Sequence, residues 1–526
     1  MKLSFRTRIA VCLLALCLPS AWFTWSNGDA PCFSKIHDDS IYFVCAKSLA
    51  AGMGYRITSL PGAPYQTKYP PLYPLLLSFA WRVDPSFPSN LSVALALNWL
   101  FVPLVVCGCF FLFRDLSFTE VESTGIAAVL ALSPSLLLLG AYLLSELAFT
   151  VLLLAALLLL NRAQRPAIAL AAGFAASMAT LTRTAGLPLL GAGVLFLWQQ
   201  RRVRSAFLFA AAMAPGSLAW AWWCHAHRLA THDPFQMYYT DYLGYYLYNV
   251  DLRSLPVFFW RDADELFSSL GSYLLAPVTG TVLARVTSDV VAAAGIHGVV
   301  RLWKRTPFVR PYALFGLLYA APLLFWHYPS NQRLLFPVAP LFLAGLYAEL
   351  TAVSSMLRAG WKRPDRGERV AAAAVAGLVA SLVLAGVLLQ GITLSVVLPR
   401  TFALCRRDML AERAAFRWID ENLPRQARVL THDDALLYLS TGRKAMRVTL
   451  PPKPYYFEDR ASLLAIEPEV APYARQRGFH YVSGFPFDAA LGADGGLGRE
   501  LETRLREDPA LSAVYQAGSR SLYRVR

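Results

Sequence analysis

The strongest constraint in this 526-residue sequence is a series of apolar runs near the length that crosses a lipid bilayer. A bilayer core is spanned by roughly 20 apolar residues in a helix. The sequence therefore predicts a polytopic α-helical membrane protein with about eleven transmembrane helices. The weakest candidate is 286–303, for which 266–283 is a competing segment. The candidate spans are 9–26, 91–113, 124–144, 147–160, 167–182, 187–198, 206–224, 286–303, 312–328, 334–353 and 370–398.

Charge is distributed unevenly along the chain. Residues 1–399 carry 47 charged side chains, whereas residues 400–526 carry 36. Because only 16% of all residues are charged and 56% are hydrophobic, the composition excludes a soluble enzyme. We expect a transmembrane domain over 1–399, with an external loop at 27–90, and a water-facing α/β domain over 400–526. In that tail, a strand at 428–430 and a capped helix at 435–440 account structurally for the run Thr431–Asp434.

Basic links predict the orientation of the spans. Loops rich in Lys and Arg stay in the cytoplasm, which places the N-terminus inside and the C-terminal domain outside. These loops, rather than nucleic-acid binding, explain the net charge of +15. Residues 1–30 also fit a signal peptide, which leaves the rest of this topology unchanged. The excess of Arg over Lys, 41 to 8, favours a bacterial inner membrane. The basic links are 1–8, 162–165, 201–204, 301–310 and 358–369.

Ionisable side chains recur in the turns that this topology places outside. Such groups are costly at membrane depth and indicate function, although capping or snorkelling explains each one singly. Together they fit a site where cations hold a lipid phosphate and a carboxylate deprotonates an incoming hydroxyl. That chemistry is glycosyl transfer from a polyprenyl-phosphate sugar. The residues are His37, Asp38, Asp39, Lys68, Glu146, Arg183 and Arg333.

Segments 37–55 and 68–77 resemble the first external loop of the GT-C membrane glycosyltransferases. The pattern is similar to bacterial members of the protein O-mannosyltransferase and lipid A aminoarabinose transferase superfamily. The resemblance implies a GT-C fold and an inverting transferase that uses a polyprenyl-phosphate sugar on the extracytoplasmic face. The sugar, the acceptor and any need for a divalent cation stay open. Further matching segments are 145–146, 181–187, 333–341 and 415–443.

The resemblance also implies roles for individual residues. Asp38 is the expected catalytic base, with Asp39 kept as a second acid, and Glu146 matches a further family acid. Lys68, before the Pro pair, is the expected phosphate-binding cation, joined by Arg183 and Arg333 as phosphate ligands. Candidate substrate contacts are His37, Tyr69, Tyr242 and Tyr245.

Other features leave alternatives open. The tyrosines in the long loop 225–265 fit either an interfacial aromatic belt or a surface that stacks on sugar. A Cys32–Cys45 disulfide is consistent with an external loop. No Cys or His spacing indicates a zinc site, and irregularly spaced histidines at 225–232 are weak metal candidates, so we assign no metal ligands.

Two other functional classes compete with a transferase. A transporter or lipid flippase could use the same outer-face charges, although transporters place them near the midplane within inverted repeats, and no repeat is visible here. A non-catalytic assembly subunit would be expected to lack Asp38 and Lys68, and both are present.

Overall fold

The computed structural model describes residues 5–26, 28, 31–274, 281–328, 332–361, 366–449, 451–483, 496–517 and 520–526. The chain forms two compact units, each assembled from three separate stretches. The first unit contains 1–28, 95–219 and 262–403, and the second contains 29–94, 220–261 and 404–526.

Helices make up the first unit almost entirely. Four helices have residues in both units: Leu91–Trp99, Val203–His227, Leu255–Gly271 and Leu398–Asn422. Short 3-10 turns cover Thr184–Gly186, Pro307–Val309 and Phe336–Val338, and a π turn covers Thr393–Val397. The other helices are Phe5–Ala15, Leu18–Trp25, Phe101–Asp115, Glu120–Ala131, Pro134–Ala141, Glu146–Asn161, Pro166–Thr182, Pro188–Gln199, Val282–Arg305, Arg310–Leu323, Gln332–Leu335, Ala339–Trp361 and Arg366–Ile392.

Six described helical segments are long and apolar enough to cross a membrane, and a bent helix pair makes a seventh. A polytopic helical protein is therefore confirmed, whereas the count of about eleven is not. The sequence-based count includes short helices such as Pro166–Thr182 and Arg310–Leu323, which are not among the six long segments. The helix Val282–Arg305, which contains the weakest sequence candidate at 286–303, is among the six. The competing segment 266–283 lies partly outside the described residues.

The predicted span 124–144 is interrupted. The helices Glu120–Ala131 and Pro134–Ala141 meet at an angle of 58°. Ser133 caps the second helix by accepting the backbone N–H of Leu136, and Pro134 occupies its first turn. Ser followed by Pro is a helix-start signal, so the sequence contained the break that the hydropathy pattern concealed.

Small residues bring two spans into close contact within the first unit. The helix Val282–Arg305 packs along Ala339–Trp361, and a Cβ atom on Gly298 would lie 1.8 Å from the Gly345 carbonyl oxygen. No side chain fits there, so both glycines are needed for this backbone approach.

The second unit combines helices with a five-stranded mixed sheet. Its strands are β1 (Arg428–Leu430), β2 (Lys444–Met446), β3 (Tyr481–Ser483), β4 (Leu511–Ala517) and β5 (Arg520–Val525), in the order β2-β1-β3-β5-β4. The pairs β1–β2 and β1–β3 are parallel, and β3–β5 and β4–β5 are antiparallel. The helices confined to this unit are His37–Ala50, Leu72–Val83, Pro234–Thr240, Tyr242–Asn249, Asp434–Thr441, Pro452–Tyr456, Arg460–Leu464, Glu467–Arg477 and Gly496–Glu507.

Long-range contacts join the three stretches of the second unit. A disulfide links Cys32 to Cys405. The Cys32–Cys45 pairing considered from sequence is therefore wrong, because the Cys45 thiol is buried and lies 3.5 Å from the Gln66 side-chain amide. The backbone N–H of Ala445 in β2 donates to the Ser59 carbonyl at 3.0 Å. The first loop thus packs with the C-terminal sheet.

Candidate functional site

Hydrogen bonds to its backbone fix the segment 66–70, which carries two predicted site residues. The Gln66 side-chain oxygen accepts the backbone N–H groups of Lys68 (2.8 Å) and Tyr69 (3.3 Å). The Tyr55 hydroxyl donates to the Tyr69 carbonyl at 2.9 Å, and the Trp223 indole donates to the Gln66 carbonyl at 2.9 Å. Lys68 and Tyr69 therefore project from a fixed backbone.

Lys68 lies among three aromatic rings, which we call the tyrosine cage: Tyr69, Tyr238 and Tyr242. Its Nζ atom is 3.5 Å from the Tyr238 ring centroid, 4.4 Å from that of Tyr242 and 5.0 Å from that of Tyr69. An ammonium over an aromatic face gains roughly 0.5–2 kcal/mol. Tyr245 stacks on Tyr242 with ring centroids 6.1 Å apart and so supports the cage.

The two adjacent acids of the first loop have different surroundings. Asp38 is half-buried, and its Oδ1 atom accepts a hydrogen bond of 2.5 Å from the Tyr69 hydroxyl. Asp39 is only 1% exposed, and both of its oxygens accept the backbone N–H of Ser34, at 3.1 and 3.0 Å. Ser34 has a positive φ of 64°, a conformation that costs energy for a non-glycine residue. Asp39 therefore stabilises a strained turn, whereas Asp38 faces the cage.

His37 pairs with a carboxylate from the C-terminal segment that sequence reasoning treated as structural. Its Nε2 atom lies 2.6 Å from Asp434 Oδ1, and its Nδ1 atom lies 3.2 Å from the Tyr238 hydroxyl. The Tyr239 hydroxyl donates to Asp434 Oδ2 at 2.9 Å and accepts the Arg447 backbone N–H at 3.2 Å. Asp434 is fully buried, so this chain fixes the imidazole ring.

Burial sets the protonation of several groups around the cage. It raises the pKa of the Tyr69, Tyr238 and Tyr239 phenols, so these hydroxyls remain hydrogen-bond donors at neutral pH. Burial lowers the pKa of His432 and raises the pKa of Asp433 to about 6. The predicted catalytic acid Asp38 therefore lies among neutral phenols.

The remaining predicted residues form a charged cluster within the first unit. Glu146 begins the helix Glu146–Asn161 and is 1% exposed. Its Oε1 atom pairs with both Arg183, at 2.7 Å, and Arg333. Arg183 also donates to the Ser145 hydroxyl at 3.1 Å. The other carboxylate oxygen, Oε2, is buried without a hydrogen-bond partner among the described residues. One buried acid thus holds two cations.

Side-chain hydrogen bonds hold the backbone that carries Arg333. The Tyr319 hydroxyl donates to the Leu334 carbonyl, and the Tyr273 hydroxyl donates to the Gln332 carbonyl, both at 2.5 Å. The predicted ionisable residues therefore fall into two sets: His37, Asp38, Asp39 and Lys68 in the second unit, and Glu146, Arg183 and Arg333 in the first.

The histidines of the long loop do not converge on a common point. His227 stacks on Trp223 at 3.9 Å between ring centroids, and its Nδ1 atom lies 3.1 Å from the Trp223 carbonyl. Asp233 pairs with Arg477 at 2.8 Å and accepts from the Tyr473 hydroxyl at 2.7 Å. Within the described ranges, no group of three or more His, Cys, Asp or Glu side chains could hold a metal ion.

This architecture, with at least six candidate spans and a small C-terminal sheet, is a GT-C fold. The fold that the sequence resemblance implied is confirmed by solved structures.

Two of the similar structures are of ArnT from Cupriavidus metallidurans. The apo form matches with a TM-score of 0.51 and 14% identity, covering 99% of this chain and 98% of that one. The form bound to undecaprenyl phosphate matches with a TM-score of 0.52 and 15% identity, covering 98% and 97%.

The Archaeoglobus fulgidus oligosaccharyltransferase, in complex with zinc and sulfate, also matches. Its TM-score is 0.52 at 14% identity, covering 90% of this chain and 67% of that chain. No protein-family model and no curated protein sequence matches this chain. At these identities, the similarity establishes the fold.

Proposed function

We propose that this protein transfers a sugar from a polyprenyl-phosphate donor to an acceptor hydroxyl on the extracytoplasmic face of a bacterial inner membrane. One of the similar structures, ArnT, is described as bound to undecaprenyl phosphate, which agrees with a lipid phosphate as ligand. The sugar and the acceptor, whether glycan, lipid or protein, are left to experiment.

The observation that carries this proposal is the juxtaposition of a carboxylate and a cation through one tyrosine. The Tyr69 hydroxyl binds Asp38, and the Tyr69 ring also lies against the Lys68 ammonium. Base and phosphate ligand are the two groups that an inverting displacement requires.

Each group has one role in the proposed reaction. Asp38 accepts the proton of the acceptor hydroxyl. At the same time, the oxygen of that hydroxyl attacks the anomeric carbon of the sugar. The bond from that carbon to the phosphate oxygen breaks with inversion, and Lys68 stabilises the charge that develops on the departing polyprenyl phosphate. We favour Asp38 over Asp39 as the base because both oxygens of Asp39 already accept the Ser34 backbone N–H.

The charged cluster of the first unit has a proposed role of its own. Arg183 and Arg333 both bind the Glu146 carboxylate, and guanidinium groups bind phosphate oxygens through charge-assisted hydrogen bonds. Glu146 holds both guanidinium groups, and its Oε2 atom can accept a hydrogen bond from a substrate hydroxyl.

A gene deletion tests the proposed function directly. Polyprenyl-phosphate sugars and surface glycans are compared by mass spectrometry between the parent, the deletion strain, and the strain complemented with wild type or with Asp38→Asn. We expect one sugar to disappear from a glycan, lipid or protein while its polyprenyl-linked precursor accumulates. Only the wild-type gene should reverse the change. An unchanged glycan profile, with a lipid or solute trapped on one side of the membrane, would instead establish the transporter alternative.

A further inference from the structure

A cavity of about 340 Å³ lies within the first unit, at the end of the helix Glu146–Asn161 that is remote from Glu146. A helix rises about 1.5 Å per residue, so the cavity and Glu146 are separated by roughly 22 Å. The cavity is therefore distinct from the charged cluster. Its polar lining comprises Asp115, Asn161, Arg162, Gln164 and Arg165.

The amide of Asn161 is the feature that demands an explanation. Asn161 is only 4% exposed, yet neither its Nδ2 nor its Oδ1 atom has a hydrogen-bond partner in the described part of the chain. A buried amide without partners costs roughly 1–3 kcal/mol. A ligand in this cavity that offers both a hydrogen-bond acceptor and a donor would remove that cost.

The charges around the cavity favour an anion. Arg162 binds Asp115 through both terminal nitrogens, each at 2.7 Å, so that this carboxylate is neutralised. Arg165 adds a second positive charge and is the N-cap residue of the helix Pro166–Thr182. The N-terminus of a helix attracts negative charge through its unpaired N–H groups. The cavity therefore carries a net positive charge beside a helix N-terminus.

The apolar part of the lining adds a further constraint. Ile168 and Phe308 border the cavity, and Phe308 is exposed. A ligand with a hydrocarbon portion next to its charged group can place that portion against this border. A compact polar ligand also fits, because the polar side chains of the lining can bind it without using the apolar border.

We propose that this cavity binds a phosphate group with an adjoining hydroxyl, independently of the proposed transfer reaction. Phosphate oxygens accept from Arg165 and from the Asn161 amide nitrogen, and the hydroxyl donates to the Asn161 amide oxygen. The same chemistry occurs in a glycerophospholipid headgroup and in soluble glycerol phosphate.

Binding to the purified full-length protein in detergent tests the proposal. Phosphatidylglycerol is titrated by native mass spectrometry, with phosphatidylcholine as the lipid control, and glycerol 1-phosphate is titrated by calorimetry. The variants are Asn161→Leu and Arg165→Ala. Arg204→Ala, an exposed arginine in another basic link, is the matched control.

Saturable binding of phosphatidylglycerol, or of glycerol 1-phosphate, is expected, and whichever ligand binds identifies the source of the phosphate. Each cavity variant should weaken binding about tenfold, while Arg204→Ala leaves it unchanged. Without ligand, Asn161→Leu should melt at or above the wild-type temperature, because it removes an unpaired amide. The proposal is overturned if neither ligand binds, or if Asn161→Leu and Arg165→Ala bind as wild type does.

Discussion

Lys68 in the second unit and the arginine pair in the first are both cations that the sequence assigned to phosphate binding, but their surroundings differ. Lys68 lies over tyrosine faces, and Asp38, which accepts a hydrogen bond from one of those tyrosines, is half-buried. Arg183 and Arg333 are bound to a carboxylate that is 1% exposed. The more accessible acid, Asp38, is suited to proton transfer. The buried acid, Glu146, binds two cations and is suited to holding them in fixed positions.

The largest expected effect comes from removing the accessible acid. Asp38→Asn should lower turnover about 10²–10⁴-fold, since a general base contributes that range. Donor binding should change little, because the amide keeps the contact with Tyr69. Turnover and donor affinity measured on the same purified protein separate the two effects. Asp39→Asn is the comparison: its main effect should be a lower melting temperature. Equal losses of turnover without any loss of stability would refute the distinction between the two acids.

Removing the buried acid should affect stability first. Glu146→Gln removes the carboxylate that pairs with both Arg183 and Arg333, and breaking a buried ion pair costs roughly 3–5 kcal/mol. Both arginines retain some exposure, so the lower end applies. Thermal unfolding in detergent measures the loss. Glu349→Gln, whose partners Arg301 and His297 are more exposed, should cost much less. Similar losses for the two variants would contradict the positioning role.

A pH-dependent effect is expected close to the cage. Burial raises the pKa of Asp433 to about 6, so the folded state favours the protonated acid. The contribution of Asp433 to the free energy of unfolding is fully present below the pKa that this acid has in the unfolded chain. That contribution is lost as pH rises through the pKa of the folded state. Asp433→Asn should therefore become more stable than wild type as pH rises from 4 to 8, by at most roughly 3 kcal/mol.

Thermal unfolding across this pH range measures the difference, with the exposed Glu421→Gln as control. A gain for Asp433→Asn that is equal at pH 4 and pH 8 would show that titration of this acid is not its cause.

The smallest effect concerns the tyrosine cage itself. Tyr238→Leu removes the ring nearest to Lys68 and should weaken donor binding up to roughly 30-fold, the equivalent of a strong cation–π contact. Tyr238→Phe keeps the ring and loses only the hydroxyl near His37, so it should bind the donor nearly as well. The Michaelis constant for the donor distinguishes the variants. If Tyr238→Phe were impaired as much as Tyr238→Leu, the hydroxyl rather than the ring would be the important group.

The sequence predicted those parts of the fold that depend on local pattern. Apolar runs indicated most of the helices, and the tail predicted the strand Arg428–Leu430 and the helix that follows it. Charges in predicted turns also led us to propose Glu146, Arg183 and Arg333 as site residues, and the structure brings these three side chains into contact.

Contacts between distant residues could not be predicted in this way. His37 pairs with Asp434 and Cys32 with Cys405 across 397 and 373 residues, and no periodicity encodes such pairings. The sequence did contain one indication that the two segments are related, because His432-Asp433-Asp434 repeats the composition of His37-Asp38-Asp39. Helix capping was the expected explanation of that run, but Asp433, the N-cap residue, makes no side-chain capping hydrogen bond among the described residues, and the pairing of Asp434 with His37 became apparent only from the fold.

The central claim is that Lys68 and its cage bind a polyprenyl phosphate. The most direct measurement is the affinity of purified full-length protein for undecaprenyl phosphate, compared among wild type, Lys68→Ala and Lys47→Ala. Lys47 is a matched control because it also lies over aromatic rings, those of Trp81 and Tyr438. The account predicts saturable binding that weakens at least tenfold in Lys68→Ala and is retained in Lys47→Ala, since a hydrogen bond to a charged group contributes roughly 1.5–3 kcal/mol. No binding by wild type, or equal binding by all three proteins, would contradict it.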